Sequence, residues 1–164
     1  MIRIGVTLRT LTLPDGLAES CLVAAVKRAV SEYNRALEGL VTFELSSWPT
    51  ADFVVFVEFG RAALKVAELE VHKETKSFTL RLDPRADWDL KRRWFMRFGA
   101  VSAETFLMHE LAHIAQFAHE DDPDSILFSH PFPRRRLSGE DVVMLRRIFG
   151  QWASTQQIKE TEGL

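Results

Sequence analysis

The chain opens with Ile2, Ile4, Val6 and Leu8 alternating with Arg3, Gly5, Thr7 and Arg9, the period of two that buries one face of a strand and wets the other. After Pro14-Asp15-Gly16 the period changes. Leu22, Val26, Ala29, Val30, Tyr33 and Leu37 fall on one stripe of a helix that stops near Gly39. Val41, Phe43 and Leu45 alternate again, and residues 52–60 form an almost unbroken β-favouring run, as a central strand requires. Charges interleaved with apolar residues between Leu64 and His72 predict an edge strand. Phe78, Leu80 and Leu82 predict a fifth strand that ends before Asp83-Pro84.

The second half reads as helical. Ser102 is a candidate N-cap with Glu104 in the favourable first turn, and the pattern predicts a helix from Ser102 to Phe117. A loop rich in Asp, Pro and His spans Glu120 to Arg136. Leu137-Ser138-Gly139-Glu140-Asp141 then opens a third helix on Val142, Val143, Leu145 and Ile148, predicted to end at Gly150. These signals predict one α+β domain over residues 1–150 and a polar tail over 151–164, without internal repeats or a linker.

Length and composition narrow the function class. The 164 residues are 46% hydrophobic and 27% charged, too apolar for a disordered chain, and a single cysteine, Cys21, cannot build a disulfide scaffold. Cys21 falls within the first predicted helix, where it reads as a small packing residue. The formal net charge of -2 gives no electrostatic case for nucleic acid or an anionic membrane as partner. Two basic stretches, Lys91 to Arg97 and Arg134 to Arg136, accordingly read as solvated loop faces. No apolar run approaches the roughly 18 residues that span a bilayer, and the opening residues lack the pattern of an export signal. A cytoplasmic location is therefore expected unless the chain is a trimmed product.

The chemistry concentrates in the second helix. His109 and His113 stand four apart, so both imidazoles leave one face of a helix about one turn apart and can reach one Zn²⁺. Between them Glu110 is placed to take a proton from water activated by that ion. Leu107, Leu111 and Ile114 form an opposite, apolar face that would anchor the helix. A His-Glu-x-x-His string can also arise as two histidines with ordinary core or surface roles. Here His119 follows six residues later and supplies the third ligand that a catalytic zinc needs. Were the helix to continue through Gln116, His119 would lie about 240° round from His113, leaving Glu120, Asp121, Asp122 and His130 as other candidates.

The run from His109 to His119 resembles the metzincin zinc peptidases, and among them the matrixins. Their pattern is His-Glu-x-x-His-x-x-Gly-x-x-His followed by a turn containing methionine. Asp122-Pro123-Asp124-Ser125-Ile126-Leu127-Phe128 is similar to the matrixin Asp-Pro-x-Ser-Ile-Met-Tyr stretch, and Leu137 to Gly150 is similar to the family's closing helix. Upstream, Ala51 to Val54 and Leu82 to Trp88 resemble its third and fifth strands. The resemblance covers about Ile2 to Gly150 and implies a mixed five-stranded twisted sheet with one antiparallel edge strand and three helices. It further implies one catalytic zinc on His109, His113 and His119, with Glu110 as general base.

This chain departs from the pattern at two positions. Gln116 replaces the family's glycine, so a left-handed residue there would cost on the order of 1 kcal/mol. Leu127 replaces the turn methionine and conserves its volume. The tyrosine that some branches place after the turn is missing, because the single tyrosine, Tyr33, lies in the first helix.

The resulting expectation is a monomeric zinc endopeptidase that acts on extended protein or peptide segments. The edge strand would pair with substrate, and an apolar pocket walled by Phe128 to Phe132 would take a hydrophobic side chain. Two alternatives stay open. One is a zinc-binding interaction domain without turnover, marked by Gln116 and Leu127. The other is an intracellular peptidase cutting one regulatory protein, as His-Glu-x-x-His proteins of phage and bacterial repressor circuits do.

Overall fold

In the computed structural model the described residues are 1–9, 13–45, 50–61, 66–89, 101–131, 133–134 and 136–162, with side chains of the last helix described through Gln157. Strand β1 (Ile2–Arg9) is followed by helix α1 (Glu19–Ala36), then β2 (Val41–Leu45), β3 (Phe53–Phe59), β4 (Ala67–His72) and β5 (Ser77–Leu82). These five strands form one sheet in the order β2-β1-β3-β5-β4. Every neighbouring pair is parallel except β4 with β5, which is antiparallel. The fold is thus α+β, with a mixed sheet and an antiparallel edge strand.

Alternation in the sequence becomes register in the sheet. Ile4 pairs with Phe43 on one side and Phe53 on the other, and Val6 pairs with Val55. The next row continues through Val55 with Phe78 and Val57 with Leu80. These side chains are 8% exposed or less and belong to one core. The β3 run is buried along most of its length because β3 lies mid-sheet with neighbours on both sides. At the edge, Arg81 of β5 meets Glu70 at 2.7 Å and Glu58 at 3.1 Å, so the charges interleaved in β4 pair across the sheet.

A two-residue parallel ladder, β6 (Trp88–Asp89) with β7 (Val101–Ser102), leads into helix α2 (Ala103–Ala112); helix α3 (Gly139–Glu162) closes the described chain. Tyr33 of α1, Phe43 of β2 and Phe149 of α3 meet edge to face at 5.5–6.2 Å and tie three elements together.

Three sequence-based boundaries need correction. The second helix ends at Ala112, not Phe117. The third continues through Gly150 to Glu162, because Trp152 finds the rings of Phe53 at 5.0 Å and Phe149 at 6.0 Å, giving the helix a packing face beyond the glycine. The edge strand begins at Ala67 in the described residues; Leu64 lies outside them, as does the basic stretch 91–97. Cys21 is half-buried in α1 and packs against the core as expected.

Candidate metal centre

Helix α2 is held before it presents anything. Ser102 caps it by accepting the Thr105 N–H at 3.2 Å, as its sequence position predicts. Glu104 in the first turn pairs with Arg28 of α1 at 2.8 Å, with only 4% of the Glu104 side chain exposed. The Tyr33 hydroxyl donates to the Met108 carbonyl from inside the core. Leu107, Leu111 and Ile114 are buried at 1%, 3% and 3% exposure, so the apolar face sits inward as its spacing predicts. The histidines at i and i+4 therefore share the other side of the helix.

The geometry of those histidines decides their protonation. Nδ1 of His109 lies 2.7 Å from the Ile126 carbonyl, and Nδ1 of His113 lies 2.9 Å from the Gln116 carbonyl. A carbonyl oxygen only accepts, so each Nδ1 is the donor, and in a neutral imidazole Nε2 then carries a lone pair. The two Nε2 atoms face each other at 3.1 Å. Two lone pairs at that distance repel unless a cation, a proton or a metal ion, lies between them. Tetrahedral zinc with bonds near 2.05 Å separates its nitrogen ligands by roughly 3.3 Å, close to what is seen.

His119 completes the group. Its ring stacks on His109 at 5.2 Å and 14° and meets His113 edge-on at 5.0 Å. Ligating atoms of His109, His113 and His119 all lie within 4.8 Å of one another, close enough for one ion. The chain reaches this position without the left-handed residue expected at Gln116. Among the described residues Lys76 is the non-glycine position with positive φ. The helix instead tightens through bonds from His113 N–H to Glu110, Ile114 to Leu111 and Ala115 to Ala112. The His113 ring then accounts for the Gln116 carbonyl. A continued helix, the case that would have carried His119 away, is excluded by the end at Ala112.

The following turn is built around buried Ser125, Ile126 and Leu127. Asp122 accepts the Asp124 N–H, and Ser125 Oγ accepts the Leu127 N–H. Leu127 is fully buried, as the volume match with methionine predicts. Asp141, in the first turn of α3, forms a capping box with Ser138: its N–H donates to Ser138 Oγ at 3.0 Å and its Oδ2 accepts the Ser138 N–H at 2.9 Å. It also accepts the Ile126 N–H at 2.8 Å and pairs with Arg134 at 2.9 Å. Arg134, read from sequence as part of a solvated basic face, is instead half-buried, its guanidinium donating to Asp141 and to the Asp124 carbonyl. Sequence reasoning missed these supports, although Ser138-x-x-Asp141 was a visible cap signal.

Glu110 is 4% exposed and lines the same cleft of about 360 Å³ as the three imidazoles. Apolar lining comes from Val66 and the start of β4 at Ala67 and Leu69, and from Phe106 and Phe117. The 128–132 segment contributes Ser129 and His130 to the cleft among its described residues; Phe132 lies outside them. His130 is therefore a rim residue, exposed and in contact with Ser129 Oγ at 3.1 Å. Glu120 and Asp122 line a different depression, with Asp124, Glu140 and Asp141. Among the described residues the cluster able to hold an ion is His109, His113 and His119.

No protein-family model matches the chain. It is 33% identical over 67 residues to matrix metalloproteinase-A of Caenorhabditis elegans, a match spanning 40% of this chain and 13% of that protein. The likeness is partial, and this chain corresponds to a small part of that relative's length.

Proposed function

We propose that this chain is a zinc-dependent endopeptidase that hydrolyses extended peptide segments, with His109, His113 and His119 as metal ligands and Glu110 as general base. The observation that carries the reading is the pair of Nε2 atoms 3.1 Å apart, each set as a lone-pair donor by a carbonyl on its other nitrogen, beside a buried carboxylate. Among the described residues the ion-holding cluster consists of three imidazoles, a set that suits zinc in an open, catalytic arrangement. Bound there, the ion supplies Lewis acidity that polarises a peptide carbonyl and acidifies water.

The chain's own groups carry the proton. Glu110 removes it from water as the oxygen attacks the carbonyl carbon, and returns it to the departing nitrogen as the C–N bond breaks. Carbonyls of Ile126 and Gln116 keep both imidazoles in the ligating tautomer. Edge strand β4, whose first residues line the cleft, offers main-chain groups for an extended substrate to pair with. The partial likeness to a matrix metalloproteinase supports the same reaction class.

Metal analysis of the purified protein, combined with digestion of a mixed peptide library, tests the reading. Replacing Glu110 with Ala should leave the metal bound and lower hydrolysis at least about 100-fold, because the base is lost while the ligands remain. Equal cleavage by the variant sinks the assignment of Glu110. A protein that holds zinc and cleaves nothing is a binding domain.

A further inference from the structure

Phe117 is out of place for a large aromatic residue. It is 63% exposed, and neither the core nor the partly buried residues packed on it include it. Met1 and Val143 are also large, apolar and exposed among the described residues, but Phe117 is the one that lines the cleft of the histidine cluster. Lone exposed apolar residues are ordinary on protein surfaces; one set in a cleft beside a polar cluster is the arrangement of a ligand subsite.

The backbone holds it there. Phe117 follows Gln116, whose carbonyl accepts the His113 ring N–H at 2.9 Å, and the Gln116 amide reaches over Phe117 to the Ala118 carbonyl at 3.4 Å. The segment carrying the ring is thus braced on both sides by the residue that departs from the glycine of the resembled pattern. Val66 and Leu69 add aliphatic surface to the same cleft from the edge-strand side.

We infer that Phe117 is a specificity-determining residue: with Val66 and Leu69 it forms an apolar subsite that takes one large apolar side chain of the bound peptide, adjoining the bond cleaved at Glu110. The inference rests on the peptidase reading for its substrate and on the cleft geometry for its chemistry. Loss of the ring removes apolar contact from one substrate position and leaves the metal ligands and the base untouched. An exposed ring contributes little to the fold, so Phe117→Ser should melt with the wild type.

The experiment compares zinc-loaded wild type, Phe117→Ser and Phe117→Leu on a random library of end-blocked peptides, with cleavage sites read by sequencing. It also measures binding of two end-blocked peptides of otherwise identical sequence, one with a central Phe and one with a central Gly, to Glu110→Gln protein with and without Phe117→Ser. The wild type should select large apolar residues at one position. Phe117→Ser should lose that selection by about 10- to 100-fold in kcat/KM, with Phe117→Leu keeping most of it. An unchanged selection profile in Phe117→Ser overturns the subsite and leaves the peptidase reading standing. If no peptide is cleaved, the binding arm decides. A Phe-over-Gly preference abolished by Phe117→Ser supports the subsite while the peptidase reading falls, and no such preference overturns both.

Discussion

Asp141 holds Ile126 in place: its Oδ1 accepts the Ile126 N–H at 2.8 Å across 15 residues of sequence. The carbonyl of that same residue accepts the Nδ1–H of His109, so the first turn of α3 reaches the His109 imidazole through a single residue. With 1% of its side chain exposed, Asp141 is a buried carboxylate bonded to Arg134 and to the N–H groups of Ile126 and Ser138.

Removing it should be costly twice. Asp141→Ala leaves the Arg134 guanidinium, 16% exposed, without its carboxylate, a change that typically destabilises by about 3–5 kcal/mol. It also loosens Ile126, the residue whose carbonyl orients His109, and loss of such a support lowers metal affinity by about 10- to 100-fold. Urea unfolding and zinc titration of the variant check both effects. Reduced stability with wild-type zinc affinity would separate Asp141 from the metal site.

The sheet was legible because its signals are local. Alternation in β1, β2 and β5 states which face is buried, and His109-x-x-x-His113 states a shared helix face whatever the surroundings. Ser102 announced the start of α2 for the same reason. The end of that helix was not legible, since it depends on the His113 ring meeting the Gln116 carbonyl, a contact that exists only once the turn is made. Likewise the length of α3 is set by Trp152 meeting Phe53, which lies in a strand 99 positions earlier. The ladder of β6 with β7 is two residues long and leaves no period to read. Phe117 carried no signal in sequence because only the three-dimensional cleft distinguishes it from an inward-facing helix residue.

Tyr33 gives the protein a sensitivity to alkaline pH. Full burial, then the negative charges of Asp141 and Glu110, hold its phenol well above the ordinary value of 10.0. The folded state therefore keeps a proton that the unfolded chain releases. Its contribution is intact below about pH 10 and falls as pH rises beyond that, by at most about 1.4 kcal/mol per pH unit. Tyr33→Phe should flatten this part of the stability profile while losing the bond to Met108. Because Tyr33 is the only tyrosine, phenolate absorbance reports it alone, and its appearance near pH 10 in the folded protein would refute the burial.

Gln116→Gly distinguishes two ways of leaving the helix. Were Gln116 left-handed, glycine would relieve strain and stabilise the protein by about 1 kcal/mol. Its φ is not positive in the structure, where Lys76 holds the non-glycine positive φ among the described residues. The substitution should instead destabilise by about 0.5–1 kcal/mol through the added freedom of the unfolded chain. The sign of the shift in melting midpoint is the readout.

His119 is the exposed member of the cluster and lies in the chain beyond α2, whereas His109 is within the helix and His113 is its C-cap, so its place as third ligand is the decisive one to test. Its backbone is fixed by the next residue, as the Glu120 N–H donates to the Leu127 carbonyl at 3.0 Å and Glu120 bridges to Phe128. Glu120 and Asp122 line the separate acidic depression, and His130 contacts Ser129 at the cleft rim. Alanine at His119 should lower zinc affinity by more than about 100-fold, beyond the loss from an outer support; alanine at Glu120, Asp121, Asp122 or His130 should leave it within a few-fold. Zinc at 100 times its dissociation constant stabilises a fold by about 2.7 kcal/mol, which for a domain of this size is roughly 5–10 °C in midpoint. A chelator should remove that increment from the wild type and shift His119→Ala by no more than about 1–2 °C. Full zinc affinity in His119→Ala, with loss at Asp121 or Asp122, would replace the three-imidazole site by two imidazoles and a carboxylate.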